Sequence, residues 1–249
     1  MSDRSMPASL KSSFRLLLGA AGLGMVLLAA PMAGRALAAL AGPTSVEEPR
    51  LLPASTAKSG MLKGNQTVVF AGGCFWGVQG VFQHVTGVVS AVSGYDGGSK
   101  ANAIYEVVGT GRTGHAEAVE VTYDPTKVSY ETLLRIFFSV ATDPTQLNQQ
   151  FPDAGTQYRG AIFYNTPEQK RIAEAYIAQL NAAKVFRAPI ATKVVPNSGF
   201  YPAEGYHQNY LTLHPGEGYI ATYDLPKVAA LKKYFPAQYR QAPILVATR

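Results

Sequence analysis

The sequence predicts an α+β fold: a two-layer sandwich of the ferredoxin-like, split βαβ plan, with irregular tails wrapped around it. Three observations carry this expectation. Between residues 66 and 165, short apolar β-branched runs alternate with segments of helical period, in the order β-α-β-β-α-β. Glycine, proline and aspartate punctuate every junction. A strand joined to its parallel neighbour through a helix crosses right-handed, so the first helix packs on one sheet face with its N-terminus at the sheet's edge.

The elements follow in order. "QTVVFAG" (66–72) is a buried strand closed by glycines. Phe75, Val78, Val81, Phe82 and Val85 recur at helical spacing, so a short amphipathic helix begins at Cys74. "GVVSAVSGYDGG" (87–98) reads as a second strand ending in a turn, and "HAEAVEVTYD" (115–124) as an alternating third. "SYETLLRIFFSVA" (129–141) is a helix capped by Ser129, and "GAIFYN" (160–165) is a strand. In "TPEQKRIAEAYIAQLNAA" (166–183), Thr166 caps a helix, Pro167 opens its first turn and Gln169 completes a capping box. A last strand falls at 191–197, with short helices at 203–211 and 225–235. No internal repeat is present.

Composition narrows the class. With 47% apolar and 15% charged residues in 249, the chain has the makeup of a compact globular protein. The formal charge of +6 is split evenly, +3 in residues 1–43 and +3 in the rest, with no basic stripe, which excludes nucleic-acid binding. Lys11 and Arg15 precede the apolar run "LLLGAAGLGMVLLAA" (16–30) and the small-residue site "ALA" (36–38). Residues 1–38 are therefore expected to be a secretory signal, making this an exported, periplasmic protein, or a membrane-anchored one if the segment stays uncleaved. Residues 39–64 read as a linker, 65–240 as the folded domain and 241–249 as a tail.

"GGCFWGVQG" (72–80) holds the single cysteine and the single tryptophan of the chain. Cys74 has no partner in the chain, so it is either a small buried hydrophobe or a reagent. A free thiol is only about 3% thiolate at pH 7. A helix N-terminus contributes about 0.3–1 kcal/mol, at most about 2, toward the anion, so a reactive Cys74 needs a second group to share its proton. Phe75 and Trp76 make the surroundings an apolar pocket rather than a metal site. Glycines 72, 73 and 77 are expected to let another chain approach. The candidate second group is Glu117, which strand period places on one face with Val119, Val121 and Tyr123, opposite Glu120. On that apolar face desolvation raises its pKa and makes it a general acid. An edge-strand glutamate reaching solvent fits the same pattern.

"GCFWG" (73–77), "GYDGG" (94–98), "TGHAE" (113–117), "DPTQLNQQFPDAGTQYR" (143–159) and "YPAEGYHQNYL" (201–211) together resemble the type A peptide methionine sulfoxide reductases, the MsrA family, over about residues 66–240. The resemblance implies that Cys74 attacks the sulfur of a methionine S-sulfoxide and becomes a sulfenic acid, and that Glu117 protonates the oxygen. It implies further that Phe75 and Trp76 receive the substrate's methyl group, that Tyr105 and Tyr158 hold the oxygen, and that Asp153 orients the site. The implied partners are methionine sulfoxide proteins and peptides and an external thiol reductant, a thioredoxin-like protein in the cell or dithiothreitol in vitro. No bound cofactor and no metal are expected, and the chain is expected to be a monomer.

Some positions depart from the family pattern. Gln79 stands where a glutamate is frequent, Ala103 and Gly109 replace a proline and a cysteine near Tyr105, and Thr142 replaces a histidine. Residues 212–249 lack the resolving cysteines of many members. Two other functions are compatible with parts of this pattern: a papain-like hydrolase pairing Cys74 with His207 or His214, and a non-catalytic domain that captures methionine-bearing peptides. A Cys-His hydrolase has no use for Glu117, and a capture domain consumes no thiol.

Overall fold

The computed structural model describes residues 46–247. The signal segment and the first part of the linker lie outside the described residues. In chain order the elements are strand β1 (Gln66–Ala71), helix α1 (Phe75–Gln83), β2 (Val88–Asp96), a one-turn helix α2 (Tyr105–Val108), β3 (Ala116–Tyr123) and α3 (Tyr130–Ile136). A small hairpin of β4 (Gln149–Gln150) and β5 (Asp153–Ala154) comes next. Then follow β6 (Ala161–Tyr164), α4 (Pro167–Ala182), β7 (Lys193–Pro196), β8 (Tyr201–Pro202), α5 (Tyr210–Leu213) and α6 (Leu225–Tyr234).

This is a mixed α/β domain around a central mixed sheet of order β7-β6-β1-β3-β2-β8, in which only the β6–β7 pair is parallel. The sheet buries both faces unequally. Val68, Phe70, Val119, Val121 and Ile162 face the helices, where Phe70 stacks between Phe82 of α1 and Phe137 at 5.0 and 4.8 Å. Val69, Ala71, Ala116, Ala118, Ala161 and Phe163 face the other way, over Val195 and Phe200, and no helix contributes to that cluster. The two faces of β1 are thus both apolar, which is why its sequence reads as an unbroken run rather than an alternation.

Several local expectations are refined. Ser129 does cap α3, accepting from the Thr132 N–H at 3.2 Å. The helix expected to run to residue 141 gives way at Phe137–Ala141 to a π turn, where the Ser139 carbonyl accepts from the Arg50 N–H at 3.0 Å. That donor comes from the Pro/Ser-rich stretch read as a linker. It has no regular structure, but it is bound to the domain: Leu52 is buried, Arg135 donates to the Leu52 carbonyl at 2.6 Å, and Tyr176 donates to that of Pro53 at 2.7 Å. Thr166 caps α4 as expected, whereas the Gln169 side chain accepts from Asn165 N–H instead of returning to the cap, and donates to the Thr67 carbonyl of β1. The single helix expected at 203–211 is broken into a 3₁₀ turn and α5, because Asn209 takes a left-handed conformation (φ 59°). The C-terminal tail is held by Ile244 N–H on the Gln83 carbonyl and by Val246 on the Asn209 side chain.

Gln79 anchors a buried amide network. It donates to the Ala91 carbonyl and to Gln208, and accepts from the Asn209 N–H. A neutral amide can donate and accept there at once without a buried charge, so a glutamine at this position is fully satisfied by its surroundings.

Candidate active site

Cys74 caps the N-terminus of α1, and the chain reaches it through Gly73 at φ +94°. A Cβ on Gly73 would lie 2.5 Å from the Gln150 side chain, and one on Gly72 would meet Phe137 and Thr142. At Gly77 it would lie 2.1 Å from Asp224 Oδ1. The glycines therefore serve close packing inside the domain, which corrects the expectation that they leave the cysteine open to another chain. Asp224 is fully buried and held by Lys227 at 3.0 Å, so it cannot yield. Gly77→Ala is expected to cost roughly 1–3 kcal/mol in urea unfolding by overpacking. Gly60→Ala, whose Cβ meets nothing within 4 Å, should be neutral.

Glu117 sits on β3 opposite Tyr95 of β2, on the helical face with Val119, Val121 and Tyr123. Its neighbours Ala116 and Ala118 face the other cluster, so the strand phasing read from the sequence holds. Its carboxylate is 3% exposed and accepts the Phe75 N–H, the first amide of α1, at 3.1 Å. Burial raises its pKa from 4.5 to about 8; the Phe75 amide opposes the shift, and Asp153 and Asp224 add to it. Burial also pushes the Cys74 thiol well up, and Glu117 and Asp224 reinforce this against the Trp76 amide and Lys227. The helix N-terminus therefore does not make a resting thiolate here. Both groups hold protons at neutral pH, because several acids share one dry site.

Three half-buried tyrosines lie near enough to this pair to feel its charge. Burial lifts Tyr105 to about 12 and Tyr158 further, with Glu117 and Cys74 adding to both, so each remains an O–H donor. Among the described residues neither hydroxyl has a protein partner. The third, Tyr219, donates to Asp153. Burial raises its pKa, with Cys74 the next largest cause. Sequence reasoning missed Tyr219: it opens a π turn (Ile220–Asp224) in which the ordinary helical period is lost, and only the fold brings it to Cys74.

The aromatic wall is Trp76. It stacks on Tyr210 at 3.9 Å and donates from Nε1 to His207 Nδ1 at 3.2 Å. Phe75 is buried behind it, between Tyr95 and His207. The motif around Glu204 is structural: Glu204 accepts from the Tyr95 hydroxyl at 2.8 Å and the Tyr105 N–H at 2.9 Å, fixing Tyr105 at the start of α2. His207 has Nδ1 committed as an acceptor and Nε2 turned toward Glu204 at 4.0 Å. It is thus not placed as a base for Cys74, and His214 instead lies against Tyr210 at 4.3 Å. The structure gathers Cys74, Glu117, Tyr105, Tyr158, Asp153, Phe75 and Trp76 at one end of α1.

A family model described as peptide methionine sulfoxide reductase matches residues 66–239. A peptide methionine sulfoxide reductase of Mesorhizobium japonicum is 62% identical over 183 residues, 74% of this chain and 94% of its own. Among solved structures, Mxr1 from Saccharomyces cerevisiae in reduced form aligns with a TM-score of 0.55 at 29% identity, covering 68% of this chain and 94% of that one. Methionine sulfoxide reductase A of Corynebacterium diphtheriae aligns at 0.53 and 34%, covering 67% and 92%. None of these similarities supports a cysteine hydrolase. A family match spanning the whole described sheet, together with a cysteine and a buried acid at one helix N-terminus, places this chain in the peptide methionine sulfoxide reductase family.

Proposed function

We propose that this protein repairs oxidised proteins by reducing the S epimer of methionine sulfoxide to methionine, with Cys74 as nucleophile and Glu117 as general acid. The observation that carries the assignment is Glu117, buried on the apolar face with a pKa of about 8, at the same helix end as the one cysteine. Below that pKa the carboxyl holds a proton to give. Cys74 Sγ attacks the sulfoxide sulfur, and Glu117 protonates the oxygen, which weakens the S–O bond. The thiol's proton returns to the Glu117 carboxylate. The protonated oxygen then passes from the substrate sulfur to Sγ as the S–O and Sγ–S bonds break; methionine departs with the Sγ–S electron pair, Sγ is oxidised by two electrons, and Cys74 is left as a sulfenic acid.

The supporting roles follow from the contacts. Tyr105 and Tyr158 are neutral donors with no competing protein acceptor among the described residues, suited to the oxygen as charge builds on it. Asp153, occupied by Tyr219, positions that tyrosine. Trp76, backed by Phe75 and Tyr210, offers an apolar face to the methyl group. The strand order β6-β1-β3-β2 supports the split βαβ plan as the frame that puts the α1 N-terminus beside β3. With one cysteine in the chain, recycling falls to an external thiol, for which a thioredoxin-like protein is the proposed donor.

Mass spectrometry tests the reaction directly. With dithiothreitol, one epimer of a methionine sulfoxide peptide should lose 16 Da and the other should persist; equal turnover of both refutes the assignment. Export is proposed on the charge and apolar pattern of residues 1–38. The mature N-terminus should then lie near Ala39, and intact Met1 on cytosolic protein contradicts it.

A further inference from the structure

The aromatic surface of the site continues away from Cys74. Trp76 meets Tyr219 edge-on with centroids 6.1 Å apart, Tyr219 lies 5.1 Å from Tyr223, and Tyr223 meets Phe151 edge-on at 5.9 Å. Phe151 ends the row at the turn between β4 and β5, with 61% of its surface exposed. Two residues later the same hairpin supplies Asp153, bound by Tyr219, so Phe151 is carried by the element that shapes the site. Beside the row opens a cavity of about 300 Å³, walled by Phe151, Tyr223, Phe186 and Pro226, with Gln150 and Lys227 toward the Cys74 loop. Gln150 lies against Gly73, and Lys227 holds the Asp224 that packs on Gly77.

We infer that this row is a subsite for the polypeptide flanking the oxidised methionine, and that its ligand is an apolar side chain, aromatic or branched aliphatic. The inference rests on the reductase reading of the Cys74 site. Single exposed apolar residues carry no meaning on a monomer's surface, but this one ends a continuous aromatic surface that begins at the reacting centre. The three ring-to-ring steps span no more than about five residues of extended chain at 3.3 Å each. A side chain within that distance of the sulfoxide therefore reaches Phe151 while the sulfoxide lies at Trp76, and free methionine sulfoxide cannot. A second copy of the chain seated on the row would cover the opening to Cys74, so a substrate segment is the occupant that leaves the site working.

The test compares kcat/KM of the full chain, with dithiothreitol, on three substrates. These are N-acetyl methionine sulfoxide amide and two eleven-residue peptides whose central sulfoxide is flanked by five residues on each side, alternating Leu and Phe in one peptide and all Ser in the other. The Leu/Phe peptide should exceed the Ser peptide roughly ten- to a hundred-fold, through KM, as burial of one large apolar side chain allows. Phe151→Ser should erase most of that ratio and leave the amide unchanged, and Tyr223→Ser should reduce it. Binding of the matching methionine sulfone peptides, followed by fluorescence of Trp76, the single tryptophan, should give the same ranking without turnover. Equal kcat/KM for the two peptides, or an unchanged ratio in Phe151→Ser, overturns the subsite. A solution dimer that Phe151→Ser dissociates overturns it in favour of a contact between copies. If no sulfoxide is reduced, the reductase reading falls, and the sulfone ranking still decides the subsite.

Discussion

Glu117→Gln should slow the reductive step by roughly 10²–10⁴-fold, the usual worth of a positioned general acid, while Glu120→Gln leaves it nearly unchanged. Both glutamates are on β3, three residues apart, and burial raises the pKa of both. They differ in face: Glu117 accepts the first amide of α1, whereas Glu120 lies on the side of the sheet that no helix covers among the described residues. Single-turnover rates of methionine release separate them, and equal effects would overturn the assignment of the acid. The pH profile adds an independent check. With a pKa of about 8, Glu117 is protonated through neutrality, so the wild-type rate should be level below pH 8 and fall about tenfold per unit above it. The glutamine variant should lack that fall.

The same proton makes Glu117 a stability liability. Its folded pKa lies above its ordinary 4.5, so between about pH 4.5 and 8 the folded chain holds a proton that the unfolded chain has lost. Stability therefore declines across that window, by about 1.4 kcal/mol per pH unit from this group alone, and the loss is complete above it. Glu117→Gln removes the dependence. Urea midpoints of variant and wild type should converge near pH 5, with the variant gaining as pH rises to 8. Parallel curves would place Glu117 at an ordinary carboxylate pKa.

Much of this site was legible before the fold. Cys74 stood out because it is alone beside the one tryptophan, and Glu117 because strand period puts it among valines; both are local signals that survive folding. Tyr105, Tyr158 and Asp153 came only with the family motifs, since each sits in an element of two to four residues, too short for a period to assign a face. Tyr219 and Phe151 were beyond reach: their places depend on the contact between the β4–β5 hairpin and the segment leading into α6, which no local pattern records. The glycines were misread for a related reason. Sequence shows that Gly73 and Gly77 lack a side chain, but not that Gln150 and Asp224 fill the space.

Cys74→Ser should abolish reduction, and one equivalent of wild type without reductant should release one equivalent of methionine and carry a sulfenic acid at Cys74. The first outcome follows from the loss of the atom that receives the oxygen. The second follows from the absence of any other cysteine in the sequence to condense with the product. The structure adds a constraint on what happens next. Cys74 is 9% exposed, and the glycines on either side are filled from within by Gln150 and Asp224. A reductant is then expected to enter among Trp76, Tyr105, Tyr158 and Tyr219, the residues on the other side of Cys74, where the substrate is proposed to sit. Methionine has to leave before a thiol can attack, so steady-state kinetics should be ping-pong, with high sulfoxide concentrations and high thiol concentrations opposing one another. A disulfide between two copies requires Cα atoms within about 7 Å, which a cysteine this deep cannot offer to its counterpart. Oxidised protein should therefore run as a monomer on a non-reducing gel, labelled by a sulfenic-acid probe at Cys74. Quantitative disulfide dimers would mean that the resolving thiol is another copy's Cys74, and recycling by a separate thiol would have to be abandoned.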